Sequence, residues 1–433
     1  MAGRFCYTNL LAFIAVAPSF PALGSSIRVL TSFNRMDGSA PFSGLIADHA
    51  GNLYGTTNAG GAFNLGTVFK LTPPPTGQTS WTETVLASLD GTWGANPYGG
   101  LLADSAGNLY GTTSLGGQSG KACGSDYCGT VVYKLAPPAA GQTTWTETVL
   151  ASFEGTQGAD PNAALIADSA GNLYGTTTYG GASGAGTVFK LTPPAAGQTA
   201  WTESVLVSFN ETNGALPFAG LIADRAGNLY GTTEAGGASG AGTVFKLTPP
   251  AEGQTAWTET VLLSFNGTDG EGPRAALIAD SAGNLYSTTP YSGSSGAGTV
   301  FKLAPPAAGQ TDWTETVLLT FNGTKGIRGQ TPAGALIADH AGNLYGTTTY
   351  GGAPKSICAP IGCGTVFKLA PPLAGKKAWT ETILADFRGT NGADPYAGLV
   401  AGRGGSLYGT TTAGGAPGTA CGDSCGTVFK VTR

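Results

Sequence analysis

Short runs of alternating apolar and polar residues recur along this chain, separated by glycine-rich turns. In one copy, 164–168 is a brief apolar run and reads as a first strand, A. Ser169-Ala170-Gly171 is a turn. Residues 172–178 read as strand B, 180–186 as a loop, and Thr187-Val188-Phe189-Lys190-Leu191 as strand C. Alternation with period two is the mark of a half-buried strand. Thr192-Pro193-Pro194 then interrupts the ladder, because proline has no N–H to donate. Residues 201–209 alternate again and form strand D. Four short antiparallel strands make one sheet.

The unit repeats. Leu-Tyr-Gly-Thr-Thr begins at Leu53, Leu109, Leu173, Leu229, Leu344 and Leu407, with a variant at Leu285 in which Ser287 replaces the glycine. A period of roughly sixty residues with strand-type alternation predicts an all-β seven-bladed β-propeller. Six complete D strands start at Trp81, Trp145, Trp201, Trp257, Trp313 and Trp379, while the seventh copy stops after strand C. The segment 27–33 matches a D strand, with Ser25 in the tryptophan position, and is expected to complete the last blade. An open solenoid is the rival, but it would need capping repeats that the sequence does not contain.

Composition agrees with many short strands. Glycine accounts for 71 of 433 residues, and charged residues for 11%, against a usual ~25%. The net charge of −5 and the absence of any Lys/Arg run exclude a nucleic-acid partner. Residues 1–24 read as a secretory leader: Arg4, the apolar run 10–17, and a small-residue site at Ala22-Leu23-Gly24. An uncleaved N-terminal anchor is the alternative. After cleavage no transmembrane segment and no sorting signal is expected, and the mature propeller, 25–433, is expected to be a secreted or surface-bound monomer. Outside Cys6 the cysteines fall in three close pairs, Cys123/Cys128, Cys358/Cys363 and Cys421/Cys425. In an exported protein these read as local disulfides. Zinc is the rival, but no histidine lies near them.

Segments such as Asn172-Leu173-Tyr174-Gly175-Thr176-Thr177 and Gly186-Thr187-Val188-Phe189-Lys190-Leu191 resemble the GloVer tandem repeat of bacterial secreted and surface proteins. The resemblance covers nearly the whole mature chain. It implies a repeat scaffold and no general activity.

Residues common to every copy read as scaffold. Asp48, Asp104, Asp168, Asp224, Asp280 and Asp339 are expected to cap the A–B turn. Glu83, Glu147, Glu203, Glu259, Glu315 and Glu381 on strand D are expected to pair across the sheet with Lys70, Lys134, Lys190, Lys246, Lys302 and Lys368 on strand C. The strand-D tryptophans should pack between blades. His49 and His340 follow turn aspartates and should be exposed, so no Ser-His-Asp triad is expected. There is no HExxH, P-loop or dinucleotide fingerprint, and no cofactor or metal is implied. Asn210, Asn266 and Asn322 sit in N-x-T sequons, relevant only in a glycosylating host.

Variation carries the functional signal. The residue after the proline that opens strand A should face the channel mouth: Phe42, Tyr98, Asn162, Phe218, Arg274, Ala333 and Tyr396 round the ring. Aromatics gather in blades seven, one and two, the cysteine-bearing B–C loops belong to blades six, seven and two, and blade one adds Phe63 and Leu65. These features predict a ligand site on one face over blades six to two, with aromatics as floor and disulfide-held loops as walls, suited to a carbohydrate or peptide. A plugged channel with purely structural disulfides is the alternative. A polysaccharide lyase or hydrolase is a second class, but it needs a clustered acid–base pair; Asp160 and Asp394 precede the prolines of non-adjacent blades, and a calcium cage lacks converging oxygen ligands. A structural envelope protein is the third.

Overall fold

A computed structural model describes residues 27–117, 130–322, 329–352, 358, 361–415 and 425–432. They form seven separate four-stranded antiparallel sheets, the blades of a seven-bladed propeller. In blade 3 the strands are Ile166–Ala167, Leu173–Thr177, Thr187–Thr192 and Thr202–Ser208, close to the expected bounds except for a shorter strand A. The last blade has the order Ile27–Ser32, Thr427–Val431, Leu407–Thr411, Val400–Ala401. The N-terminal strand therefore completes blade 7 as its D strand.

Closure uses the same joints as the rest of the ring. Strand D carries a one-residue bulge opposite Val188/Phe189 of blade 3, and the first strand bulges at the matching place, between Val29 and Thr31. A threonine of each strand B donates its hydroxyl to a carbonyl at the start of the next blade. These bonds run from Thr56 to Gly99 O (3.3 Å), Thr112 to Ala163 O (3.2 Å), Thr176 to Ala219 O (3.1 Å) and Thr232 to Ala275 O (3.4 Å). They continue from Thr288 to Pro332 O (3.1 Å) and Thr347 to Ala397 O (2.9 Å), and Thr410 to Ser43 O (3.0 Å) joins blade 7 to blade 1.

The hydrophobic core is a set of layers between blades. Both faces of strand C are buried, so Val188 packs forward into a cluster with Phe209, Phe245 and Leu247, while Phe189 and Leu191 pack backward on Phe153. The edge-to-face pair Phe209–Phe245, 5.1 Å between centroids, recurs at other joints, as in Phe33–Phe69 and Phe387–Phe429. The repeated glycine on strand B is needed because the strand-C ring lies over it: a Cβ on Gly175 would sit 2.5 Å from Phe189 Cζ. Ser287 is accommodated in blade 5 by donating to Ala275 O and Ala276 O.

The joint between blades 1 and 2 departs from this pattern. Leu89 replaces the phenylalanine at the end of strand D, Tyr133 replaces the one on strand C, and Trp93 fills the space at 5.2 Å from Tyr133. Blade 2 also has Val131 opposite Thr113, where other blades place a second threonine, as in the Thr177–Thr187 hydroxyl pair at 2.8 Å. The Tyr133 hydroxyl and the Thr113 and Thr130 Oγ1 atoms are all buried without a hydrogen-bond partner among the described residues.

The turn aspartates cap as expected. Asp168 accepts from the Ala170 and Asn172 backbone N–H groups, from Asn172 Nδ2 and from the Tyr174 hydroxyl. The expected lysine–glutamate pairing does not occur. The register sets Lys190 opposite Ser204 and Glu203 opposite Leu191, so the two charges project from opposite faces of the sheet. Lys190 lies over the Tyr174 ring instead, 5.9 Å from its centroid. The glutamates turn toward the preceding blade: Glu83 accepts from the Thr31 hydroxyl on its strand D (2.7 Å), and Glu259 from Asn213 Nδ2 in its D–A loop (2.6 Å). Burial, opposed by the Thr31 bond and reinforced by Asp37, pushes Glu83 up to about 7. Burial alone takes Glu203 to about 7, and burial with the neighbouring Asp269 takes Glu315 to about 8.

Candidate functional site

The D–A and B–C loops share one face of the ring. The residue before each strand-A proline has a positive φ, including Ala40 (53°), Asn96 (53°), Asp160 (61°), Leu216 (56°), Thr331 (55°) and Asp394 (55°). A non-glycine residue in this region is strained by about 1 kcal/mol or more, and hydrogen bonds to the preceding blade hold it there. Leu216 N–H donates to Ala185 O, Ala40 N–H to Cys425 O and Asp394 N–H to Cys363 O. The proline also packs on the preceding blade, against a glycine with its own positive φ: a Cβ on Gly186 would lie 2.5 Å from Pro217 Cδ. The side chain after the proline is thereby aimed at the channel mouth.

Four of the seven expected positions meet there. Phe42 and Tyr98 stack at 4.6 Å with 15° between planes. Tyr396 contacts both edge-on, at 5.8 and 5.9 Å, and Phe218 meets Tyr98 at 5.2 Å. Burial pushes the Tyr98 hydroxyl well above its ordinary value, helped by a hydrogen bond to Tyr396 and opposed by the charge of Arg274. Arg274 lies between the rings of Phe218 (5.9 Å) and Tyr291 (5.4 Å) and forms an ion pair with Glu234. Burial works against its charge, and the Glu234 carboxylate more than restores it. The cluster is therefore a half-buried aromatic patch at the channel mouth.

The other expected residues differ. Asn162 is buried and turned sideways, donating to Asp160 (2.8 Å) and the Thr178 hydroxyl (3.0 Å). Ala333 is buried and contributes no polar group. Phe63 projects from its B–C loop at 59% exposure, whereas Leu65 packs against the joint between blades 1 and 2. Cys358 and Cys363 form a disulfide in the B–C loop of blade 6, and Cys425 is disulfide-bonded. Cys123, Cys128 and Cys421 lie outside the described residues.

Sequence reasoning missed Tyr291 and Glu234, which fix the arginine. Both occupy B–C loop positions filled by small or apolar residues in several other copies, such as Ala59 and Ser114. The carboxyls of Asp160 and Asp394 are raised by burial, against the Asn162 bond in the case of Asp160. Among the described residues no group of three or more His, Cys, Asp or Glu could hold a metal, and no helix is long and apolar enough to cross a membrane.

The profile of the Gloeobacter/Verrucomicrobia repeat matches residues 19–124, 122–278 and 254–433. The chain belongs to this repeat family. Comparison with curated proteins gives no match. Among solved structures, this Gloeobacter/Verrucomicrobia repeat chain is similar to the extracellular domain of a Bacteroides thetaiotaomicron protein assigned as a hybrid two-component system. There the identity is 11% and the TM-score 0.50, with 95% of this chain and 43% of that one covered, so the repeat chain spans less than half of that domain. A second similar structure is a Bacteroides uniformis protein assigned as a 6-phosphogluconolactonase. It shows 14% identity and TM-score 0.50 over 83% of this chain and 88% of that one. At such identities the likeness concerns the fold.

Proposed function

We propose that this protein is a secreted or surface-exposed binding module whose ligand, a carbohydrate or a peptide, sits on the aromatic floor of the D–A/B–C face. The observation that carries this reading is the contact cluster of Phe42, Tyr98, Phe218 and Tyr396 at the channel mouth. Half-buried rings offer a preformed apolar platform with little ordering cost. Arg274 adds a fixed cation at its edge, and exposed Phe63, Leu115, Tyr291 and Ile361 on the surrounding loops extend the apolar rim. The Cys358–Cys363 disulfide supports an oxidising compartment, and with it a leader over 1–24 that is removed on export.

The half-buried carboxyls of Asp160 and Asp394, both raised, favour one second reading, a polysaccharide lyase or hydrolase in which one of them is a general acid. A glycan-array screen of residues 25–433, with and without calcium, separates the readings when followed by turnover assays on any hit. Tyr98→Ala with Tyr396→Ala should weaken binding of a hit about tenfold or more, and unchanged affinity would reject the site. Product formation lost in Asp160→Asn or Asp394→Asn would establish the second reading in place of the first.

A further inference from the structure

The opposite face of the ring, where the A–B turns and C–D loops emerge, carries a second kind of site. A groove of about 1020 Å³ lies there between blades 3 and 4. Its apolar wall is Val205 of strand D in blade 3, 41% exposed, with the half-buried Trp257 that opens strand D of blade 4. Trp257 is held edge-on to Tyr174 at 6.2 Å, and Lys190 lies over that tyrosine. Arg225, exposed on the A–B turn of blade 4, borders the same groove.

The charges in the groove are unequal in availability. Asp168 and Asp224 line it, but each already accepts from two backbone N–H groups, an asparagine amide and a tyrosine hydroxyl. Lys190 and Arg225 make no ion pair among the described residues. A ligand there meets a flat apolar strip, two cations free of ion pairs among the described residues, and two carboxylates whose acceptor positions are already used.

The wall also repeats. Trp313 packs at 6.5 Å on Tyr230, which Lys246 overlies, and strand D of blade 4 again exposes a valine, Val261; Trp81 packs at 5.8 Å on Tyr408, which Lys430 overlies. One tryptophan opens each of six D strands. A peptide of unique sequence needs one such site. A polymer of one repeating unit is matched by a site copied round a ring, and gains avidity from it.

We propose that these interblade grooves bind an acidic polysaccharide, the tryptophan–valine wall taking the apolar face of a sugar ring and the lysine, with Arg225 in the blade 3–4 groove, taking its carboxylate. This site is independent of the aromatic floor on the other face.

The test is ¹⁹F NMR of the chain labelled with 5-fluorotryptophan, titrated with trigalacturonate, with maltotriose and a tri-glutamate peptide as controls. Each strand-D tryptophan is assigned by its Trp→Phe variant, and Trp93, buried at the joint between blades 1 and 2, is the internal reference. Trigalacturonate should shift the strand-D resonances, that of Trp257 at the lowest concentration, while Trp93 stays still. Lys190→Gln with Arg225→Gln should weaken the Trp257 response about tenfold and leave the other resonances unchanged, which also reports that the fold is intact. Tyr98→Ala should leave all of these shifts in place. Static strand-D resonances, an equal response to maltotriose, or an equal response to tri-glutamate would each overturn the proposal.

Discussion

Tyr133→Phe should stabilise this protein. Tyr133 is fully buried on strand C of blade 2, and its hydroxyl has no hydrogen-bond partner among the described residues. A buried polar group left unsatisfied costs about 1–3 kcal/mol. The matching residue in the other blades is phenylalanine, as at Phe69, Phe189 and Phe245, so the backbone and the overlying glycine already suit a ring without the oxygen. Against the gain stands the small void left by one oxygen, with Trp93 alongside to relax into it; this returns a few tenths of a kcal/mol of lost contact. The net expectation is about 1–2 kcal/mol of added stability. Urea unfolding measures it: the midpoint should rise with the slope unchanged. A lower midpoint would refute the reasoning, because it would mean that the hydroxyl contributes a favourable interaction. A rise confined to the slope would place the effect in the unfolded chain instead.

Three further outcomes are expected. Gly186→Ala should cost about 2 kcal/mol or more in the same assay, because a Cβ there meets Pro217 Cδ and Thr177 O, each at 2.5 Å, at a φ of +98°. Thermal stability should be highest near pH 5 and fall as pH rises through 7 to 8. Glu83, Glu203 and Glu315 have folded values raised above their unfolded 4.5, so their protonated forms are favoured in the fold; each contributes roughly 1 kcal/mol after solvent screening, and Glu315→Gln should flatten the alkaline limb. Below that window Asp48, Asp280 and Asp339, held under 3.8 by the bonds they accept despite partial burial, lose their contribution as they protonate. Cys358→Ala with Cys363→Ala should lower stability by about 2 kcal/mol, the loop-closure value for so short a ring, measured against the wild type under reducing and oxidising conditions.

The ring was legible because period-two alternation and a repeated motif specify four strands per copy, and because the segment 27–33 supplies the one D strand that the seventh copy lacks. The orientation of the residues after the strand-A prolines was legible too, since one rule holds round the ring and Phe42, Tyr98, Phe218 and Tyr396 do converge. Register was not. Lys190 and Glu203 look like a cross-strand pair until the ladder shows them one residue out of step, and such a slip reverses the face. Compensation between distant residues was hidden for a different reason. Leu89, Trp93 and Tyr133 each read as an unremarkable local substitution, and only their contact across a joint shows that the tryptophan replaces a phenylalanine lost elsewhere. The bond from Asn162 to its neighbour Asp160 is likewise a local contact that the spacing of residues cannot reveal.

The strand Ile27–Ser32 is made first and paired last. Its partner, Thr427–Val431, lies at the far end of the chain, and at the ribosome's pace of about 5–20 residues per second some tens of seconds separate the two. Throughout that interval, and through any threading across a membrane, six blades can stack in order while the outer strand of the seventh waits without its neighbour. A short apolar strand with open backbone groups is then a template for any other extended chain. Among the described residues, Arg28 and the strand's length of six residues are the local defences against that mispairing. Thr427–Val431 thus acts as the latch of the whole assembly, and the hazard of an unlatched ring ends only when it has paired with Ile27–Ser32.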